Sequence, residues 1–309
     1  MRIVLRSNPL IEFPDLTVHC DGNKGDINFM SHAHSDHVFA RAKNVLSSEQ
    51  TLALASERFK RFAIEHYQKE DARFSLLDNG HVLGSKALLV KHDKRVLYTS
   101  DFTLKSRNFL KGFRPPKAEV LIIESTFGKP HYEFPDFNAV MREARDRIDD
   151  ELKKGKHVSL IGYALGKAQH LMQLAGTFGA VSVEKGIGAI NDVYRKQGVM
   201  LPEHVDLGSR ESEVSVIPNP RFAQKKSVTL GFSGWAADGY YAMSRGVNDA
   251  FMVSDHADFY ELVKTVKKVS PEKVFVWHGF SEEFAAFLRV EGFDAVALQK
   301  NQHMLANFH

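Results

Sequence analysis

Residues able to bind metal ions are concentrated in one short segment of this 309-residue chain. Three histidines and one aspartate fall within six residues, directly after an apolar segment predicted to be a strand; they are His32, His34, Asp36 and His37. Because side chains alternate along extended backbone, His32 and His34 are expected to face the same way. Imidazole and carboxylate groups are ligands of zinc and similar first-row ions. The spacing therefore predicts a loop that serves two adjacent metal ions.

Further metal ligands must come from other parts of the chain, since one loop cannot complete two sites. His81 lies between glycines in a predicted turn, where glycine lets the backbone approach closely. Asp101 follows the predicted strand 96–100, and His278 follows the apolar segment 274–277. These three side chains are expected to meet the histidine cluster where strand ends and loops gather.

The order of these motifs resembles that of the metallo-β-lactamase superfamily: His-x-His-x-Asp-His, then a glycine-flanked His, then an Asp at a strand end. The resemblance implies an αββα sandwich with two bound divalent ions. One ion would be held by His32, His34 and His81. The other would be held by Asp36, His37 and His278. Asp101 would bridge both ions, which are expected to be zinc, with manganese as the alternative.

Two further segments point to one branch of that superfamily. Glu124 ends the apolar run 120–123, and His256 follows the apolar segment 251–253. Together with His278 they resemble motifs A, B and C of the β-CASP branch, which consists of nucleases. That branch carries an α/β cap inserted between motifs A and B, so the resemblance covers almost the whole chain.

Phosphodiester hydrolysis explains why these residue types occur together. Two metal ions about 3.5–4 Å apart can bind a hydroxide and polarise phosphoryl oxygens, and metal binding brings the pKa of water towards ~7. The departing alkoxide needs a proton from a general acid. His256 is the candidate acid, with Glu124 orienting it. The expected catalytic residues are therefore Asp36, Glu124 and His256.

The domain organisation follows from a change of pattern after Gly128. Asp136 could cap a helix whose apolar positions, spaced by three and four, run from 137 to 152, and strands and helices then alternate. This alternation predicts an α/β unit with a parallel sheet. We expect a discontinuous core of 1–130 and 245–309, with the cap at 131–244. In the core, segments 86–91 and 95–99 flank a three-residue turn and predict a hairpin.

Two segments of the predicted cap are candidates for substrate contact. Lys167 follows a strand and opens a helix, where a helix N-terminus with a lysine can hold a phosphate; a solvated lysine is the alternative. The spacing of the glycines is one residue short of a P-loop. In the segment 232–235, Ser233 is assigned to substrate contact, and Trp235 either stacks on a base or packs in the core.

Composition excludes several classes of protein. Hydrophobic residues make up 43% and charged residues 26%, which is ordinary globular usage and excludes a disordered, collagen-like or coiled-coil chain. The lone Cys20 permits no internal disulfide and no Cys-rich zinc site. No apolar run approaches the ~18 residues of a membrane span, and the start lacks the apolar core of a signal peptide. A cytoplasmic protein without membrane contact is predicted.

The predicted function is hydrolysis of single-stranded nucleic acid by a two-metal nuclease, with exonuclease favoured over endonuclease. A small-ester hydrolase and a non-catalytic scaffold are the alternatives. RNA is slightly favoured over DNA because His278 at motif C resembles the RNA-acting members. DNA stays open because the compact length and the C-terminal segment also resemble bacterial exonucleases associated with DNA ligases, often labelled mRNA 3′-end processing factors. Oligomeric state and the polarity of attack are left open.

Overall fold

The first sheet contains most of the N-terminal segment. In a computed structural model, residues 1–39, 41, 43–64, 72–298 and 303–305 are described, the last three for their backbone alone. The strands of this sheet are β1 (Arg2–Leu5), β2 (Pro9–Glu12), β3 (Thr17–Cys20), β4 (Ile27–Phe29), β5 (Val45–Leu46) and β18 (His303–Leu305). Their order is β18-β1-β2-β3-β4-β5. The first three pairs are antiparallel, and β3, β4 and β5 run parallel.

Three of the seven predicted ligands, His81, Asp101 and His278, follow strands of the second sheet. Its strands are β6 (Phe74–Asp78), β7 (Lys86–Lys91), β8 (Arg95–Tyr98), β9 (Val120–Glu124), β16 (Lys273–Trp277) and β17 (Ala295–Ala297). Their order is β17-β16-β9-β8-β7-β6. Strands β6, β7 and β8 are antiparallel neighbours, whereas β8, β9, β16 and β17 run parallel. Consequently β6, β8, β9 and β16 all end at the same edge of the sheet.

Strand β9 shows why this sheet is a central layer. All five of its residues are buried. Val120 and Ile122 pack with apolar residues of the first sheet, while Leu121 and Ile123 pack with helices α6 (Phe259–Val269) and α7 (Ser281–Val290). Because side chains alternate between the two faces of a strand, both faces of β9 are covered by apolar layers. Within the described part of residues 1–130, Ser48 caps helix α1 (Glu49–Arg58).

The chain divides into two compact units, Met1–Tyr132 with His256–His309, and Glu133–Asp255. The predicted insertion, 131–244, shares residues 133–244 with the second unit. That unit contains helices α2 (Phe137–Leu152), α3 (Lys167–Ala175), α4 (Lys185–Lys196) and α5 (Tyr241–Arg245). Its strands are β10 (Val158–Ile161), β11 (Val181–Val183), β12 (His204–Asp206), β13 (Val214–Ile217), β14 (Val228–Phe232) and β15 (Asp249–Phe251).

The sheet of the second unit is parallel throughout, in the order β12-β11-β13-β10-β14-β15. Asp136 caps α2 by accepting a hydrogen bond from the backbone N of Ala139, and Phe137, Val140 and Ala144 form its buried stripe. The α/β class expected from the alternating pattern is confirmed. Over the described residues, every helix is too short or too polar to cross a bilayer.

The double-sided burial of β9 predicts a strong dependence of stability on its side chains. Ile122→Ala should lower the free energy of unfolding by about 2–5 kcal/mol and Ile122→Val by about 0.5–1.5 kcal/mol, because the larger truncation leaves the larger cavity. Val290→Ala, at an 87% exposed position, is the control and should stay within about 0.5 kcal/mol. Urea unfolding followed by circular dichroism measures all three. Equal effects of Ile122→Ala and Val290→Ala would contradict this packing.

Candidate metal centre

Three of the predicted ligands and Glu124 lie at or after strand ends on one edge of the second sheet, and the other four ligands lie in a loop that follows a strand of the first sheet. The loop 30–39 follows β4, His81 follows β6 by three residues, and Asp101 follows β8. Glu124 is the last residue of β9, and His278 comes directly after β16. Because β6, β8, β9 and β16 point the same way, chemistry-bearing residues far apart in the sequence are collected at one place.

Four of the predicted ligands converge on one point. His32 Nε2 and His81 Nε2 each lie 3.1 Å from His34 Nδ1. Asp101 Oδ2 lies 3.5 Å from His32 Nε2 and 3.7 Å from His81 Nε2. His34 is half-buried and the other three side chains are buried. These donor atoms form a group that can hold a metal ion.

The separations within this group match the geometry of a coordinated metal. A tetrahedral ion with ligand bonds of about 2.0–2.1 Å has donor atoms about 3.3–3.4 Å apart. The observed separations, 3.1 to 3.7 Å, bracket that value. Three imidazoles facing one another in a buried space, with a carboxylate as the fourth donor, also have the composition of a site for a first-row divalent ion. The residues therefore fit the predicted group.

Asp101 also faces the second set of predicted ligands. Its Oδ2 lies 3.3 Å from His37 Nε2, and His37 Nε2 lies 3.6 Å from Asp36 Oδ2. The other oxygen, Oδ1, is buried and has no hydrogen-bond partner among the described residues. The carboxylate thus lies between the three-histidine group and His37, with one oxygen still able to accept a ligand bond.

His278 stands apart from the other predicted ligands. It belongs to neither metal-capable group found among the described residues. Its side chain is exposed, and its Nδ1 lies 3.4 Å from Thr126 Oγ1. The backbone of His278 has a φ of 63°, a left-handed conformation that directs the side chain differently from a continuing strand. The Asp36 side chain is 62% exposed. For both residues, coordination of a second ion stays a prediction.

Asp21 is the residue that the sequence pattern missed. It follows β3 directly, with a φ of 51°, and its side chain is completely buried. Its carboxylate accepts hydrogen bonds from Ser31 N at 2.7 Å, Ser31 Oγ at 2.9 Å, His37 Nδ1 at 2.8 Å and Tyr98 OH at 2.8 Å. Holding His37 by Nδ1–H leaves Nε2 to face Asp101. In the sequence, only its position as an aspartate after a strand, upstream of the histidine segment 32–37, could have indicated this role.

The charges in the centre are distributed unevenly. Burial and the neighbouring imidazoles hold the pKa of His32 well below its usual value, so this ring is neutral and ready to bind a metal. Burial also opposes charge on His37, but the Asp101 and Asp21 carboxylates outweigh it and raise the His37 pKa. Burial raises the pKa of Asp101, yet His37 and His256 outweigh it and lower that pKa well below its usual value. A bound cation would take the place of the His37 proton.

Glu124 and His256 form the predicted pair. His256 Nδ1 lies 3.1 Å and 3.0 Å from the two Glu124 oxygens, and His256 Nε2 lies 4.0 Å from Asp101 Oδ2. Glu124 is fully buried and also accepts hydrogen bonds from Phe102 N and Thr126 Oγ1. The histidine ring is 22% exposed. Glu124 therefore fixes the ring with Nε2 towards the metal-capable group. Asp101, Glu124 and His256 are also a group that could hold a metal themselves.

A second buried carboxylate supports this edge of the sheet. Glu261 Oε1 accepts hydrogen bonds from Thr103 Oγ1 at 3.0 Å and from the backbone N of Leu104 and Lys105 at 2.6 and 3.1 Å. Glu261 is also the third residue of α6, where it forms a capping box with Asp258. Burial and the Asp258 charge raise its pKa. These hydrogen bonds fix the loop that follows Asp101 to the first turn of helix α6, which begins three residues after His256. Sequence reasoning did not find this contact.

The predicted substrate contacts lie in the second unit. The Lys167 side chain is 3% exposed; its Nζ donates to Val253 O at 2.8 Å and pairs with Asp255 Oδ2 at 3.1 Å. The alternative of a solvated lysine is therefore wrong, since the ammonium group is buried in an ion pair. Ser233 is buried and accepts a hydrogen bond from Trp235 N, and Trp235 itself is half-exposed. Phosphate contact by Lys167 and substrate contact by Ser233 stay predictions.

The four hydrogen bonds of Asp21 predict that it controls metal affinity without being a ligand. Asp21→Asn should weaken metal binding by about 10–100-fold, because an amide cannot accept from all of these donors and His37 loses its orientation. Competition with a chromophoric chelator measures the affinity, and circular dichroism reports the fold.

Asp26→Asn is the matched control. Asp26 is an exposed carboxylate five residues away that accepts hydrogen bonds from Thr17 N and Oγ1. The Asp26→Asn variant should bind metal with the affinity of the wild type. Equal metal affinity of the Asp21→Asn variant and the wild type would contradict the positioning role.

Comparison with known proteins finds several sequence relatives. The chain matches no protein-family model. It is 32% identical over 297 residues, 90% of its length, to a probable DNA ligase of Opitutus terrae, of which it covers 29%. An RNase J-like protein of Methanocaldococcus jannaschii is 26% identical over 51% of the chain and 45% of the relative. An endoribonuclease YSH1 of Mycosarcoma maydis is 36% identical over 36% of the chain and 13% of the relative. The chain thus spans less than half the length of these relatives.

A solved structure shares the fold. A protein of unknown function from Enterococcus faecalis V583 superposes with a TM-score of 0.54 at 15% identity, covering 81% of this chain and 74% of the other. At that identity the likeness concerns the fold alone. The names of the sequence relatives and the convergence of the predicted ligands both point to the β-CASP branch of the metallo-β-lactamase superfamily.

Proposed function

We propose that the chain is a metal-dependent nuclease that hydrolyses phosphodiester bonds of single-stranded nucleic acid with two divalent ions, expected to be zinc. The observation that carries the proposal is the position of Asp101, between the three-histidine group and His37. A carboxylate shared by two adjacent sets of donors is what a two-metal centre needs. In this proposal, 1–130 and 245–309 form the catalytic core and 131–244 the cap.

The ligand roles follow the order of the motifs. His32, His34 and His81 would hold one ion, Asp36, His37 and His278 the other, and Asp101 both. When bound, the two ions supply an activated water and polarise the phosphoryl oxygens. The buried walls around the site favour this chemistry, because electrostatic interactions are stronger where water is excluded. Trp277, whose ring lies 6.1 Å from that of His37, is part of these walls.

His256 is proposed to protonate the departing oxygen. Glu124 accepts from His256 Nδ1–H, so the proton for transfer is carried on Nε2, the nitrogen nearer to Asp101. The buried Glu124 carboxylate stabilises the imidazolium form and fixes the ring plane. Partial exposure of the ring leaves it accessible to a substrate. This arrangement matches the needs of a general acid in geometry as well as in charge.

The nature of the sugar is a separate question with two candidates. Relatives named as RNases cover about half of the chain or less and support RNA, the slightly favoured substrate. The relative matched over 90% of the chain is named a probable DNA ligase, and this observation favours DNA as the second candidate. In both cases attack from a strand end is expected.

A gel assay with end-labelled single-stranded RNA and DNA of the same sequence tests the function, with zinc or manganese added. Wild-type protein should cleave one strand type, and the product ladder should show whether attack starts at an end. Asp101→Ala should abolish cleavage and remove at least one metal ion per chain, because both sets of donors lose a ligand. Two metals retained in that variant would contradict the bridging role. Absence of cleavage despite two bound metals would favour the small-ester hydrolase.

His256→Ala separates acid catalysis from metal binding. Cleavage should slow by about 10²–10⁴-fold, the usual loss for a missing general acid, while metal content stays unchanged. His157→Ala, a half-buried histidine of the second unit, is the control and should retain both. Atomic emission gives the metal content, and single-turnover cleavage gives the rate. Loss of metal from His256→Ala would make His256 a ligand instead of an acid.

A further inference from the structure

A cavity lies at the carboxyl ends of the central strands of the second unit. It is lined after β10 by Gly162 and Tyr163, after β13 by Asn219 and after β14 by Ser233. Its volume is about 170 Å³. That is an order of magnitude more than the ~10–15 Å³ that one water molecule occupies by this measure. In open parallel α/β sheets, this edge is where ligands bind.

Aromatic rings line this cavity and a second one that shares residues with it. Tyr163 and Tyr241 line it, and an adjoining cavity of about 250 Å³ is lined by Trp235, Tyr240 and Tyr241. We call these four side chains the aromatic shelf. Tyr163 is 66% and Tyr240 62% exposed, although large hydrophobic side chains elsewhere in the chain are mostly buried. Exposed aromatic faces grouped in this way mark a surface that binds a partner.

The charges around the shelf indicate what that partner is. Arg245 lines both cavities, is exposed, and has its Cζ 5.8 Å from the centre of the Tyr241 ring. Within the described residues no carboxylate forms an ion pair with it. Asp238, in the adjoining cavity, is the one acidic residue in either lining. A bare anion would be repelled by Asp238, whereas a nucleobase can donate to a carboxylate through its amino groups.

Local hydrogen bonds leave stacking as the main mode of recognition. The Asn219 side-chain oxygen accepts from Arg221 N, and Ser233 Oγ accepts from Trp235 N, so both oxygens already accept a hydrogen bond within their own turns. Few directed polar groups are left to distinguish one base from another. Aromatic faces beside a cation bind single strands without strong sequence preference.

We propose that the aromatic shelf binds unpaired nucleotides of a single strand, with Tyr163 and Tyr240 stacking on bases and Arg245 pairing with a backbone phosphate. The inference rests on the proposed function, since the strand is the substrate of the nuclease. The inference adds a binding site on the second unit, and this site shares no residue with the predicted metal ligands.

Fluorescence anisotropy tests the stacking. The metal-loaded protein is titrated against a fluorescein-labelled phosphorothioate oligothymidylate, which resists cleavage. Tyr163→Leu and Tyr240→Leu should each raise Kd by about 5–100-fold, whereas Tyr163→Phe, which keeps the ring, should bind like wild type. Met200→Ala, at a 90% exposed position outside both linings, is the control for removal of an exposed apolar side chain. Equal Kd values for the leucine variants and the wild type would overturn the proposal.

The salt dependence of Kd tests the phosphate contact. Arg245→Ala should reduce the slope of log Kd against log salt concentration by about 0.7, the contribution of one phosphate in a single strand. Arg210→Ala, an exposed arginine of the same unit outside both linings, removes the same charge and should leave the slope unchanged. An unchanged slope in Arg245→Ala would overturn this part of the proposal.

A small substrate distinguishes this inference from the proposed function. Bis(p-nitrophenyl) phosphate needs the metal centre but offers no strand, so all shelf variants should hydrolyse it at the wild-type rate. If the wild type hydrolyses the diester but the leucine variants bind the oligothymidylate with the wild-type Kd, the proposed role of the aromatic shelf is overturned. The proposed nuclease function is unaffected by that result. If the wild type hydrolyses neither this diester nor any strand, the proposed nuclease function is overturned. The Kd values from anisotropy would still show whether the aromatic shelf binds a single strand.

Discussion

The Asp101 carboxylate imposes the strongest constraint on this structure. It is buried, and an ionised carboxylate out of water is unfavourable unless positive charge lies close to it. His37, His32 and His81 lie within 3.3 to 3.7 Å of its Oδ2. The Asp101 and Asp21 carboxylates raise the pKa of His37, and a bound divalent ion would compensate the charge of Asp101 more fully. The same buried charge therefore accounts for the raised pKa of His37 and for the suitability of the group for a metal ion.

Such a centre requires a frame that holds its side chains before any metal arrives. The parallel arrangement of β8, β9 and β16 collects loops at one edge. Asp21 then holds the His37 ring, and Glu261 fixes the loop after Asp101 to the first turn of α6. Both carboxylates are buried and accept several hydrogen bonds each, so neither can move without leaving donors unsatisfied. The precision of the site comes from these contacts as much as from its ligands.

Local sequence patterns predicted much of the fold. The predicted segments 86–91 and 95–99 do form adjacent antiparallel strands, β7 and β8, with Lys91 opposite Arg95 and β8 ending at Tyr98, because a short polar turn between apolar stretches leaves little choice. Asp136 does cap α2, whose stripe of apolar residues faces inwards. The hydrophobic pattern does not predict strands β12 and β15, because each has only three residues, too few to show a period. Each is placed at an edge of the sheet by pairing with one neighbour, β12 with β11 and β15 with β14.

For the site, the sequence by itself determined which residue types are available, and the His-x-His-x-Asp-His spacing was specific enough to predict a metal-binding loop, of which His32 and His34 lie in a group that could hold an ion. The pairing of Glu124 with His256 also followed from motif order. Only the tertiary structure decided that Asp21 holds the cluster and that Lys167 is buried against a carboxylate. These contacts join residues up to 88 positions apart (Lys167 and Asp255), and no local period records them. Spacing fixes which side chains a segment presents, whereas packing between segments fixes what those side chains meet.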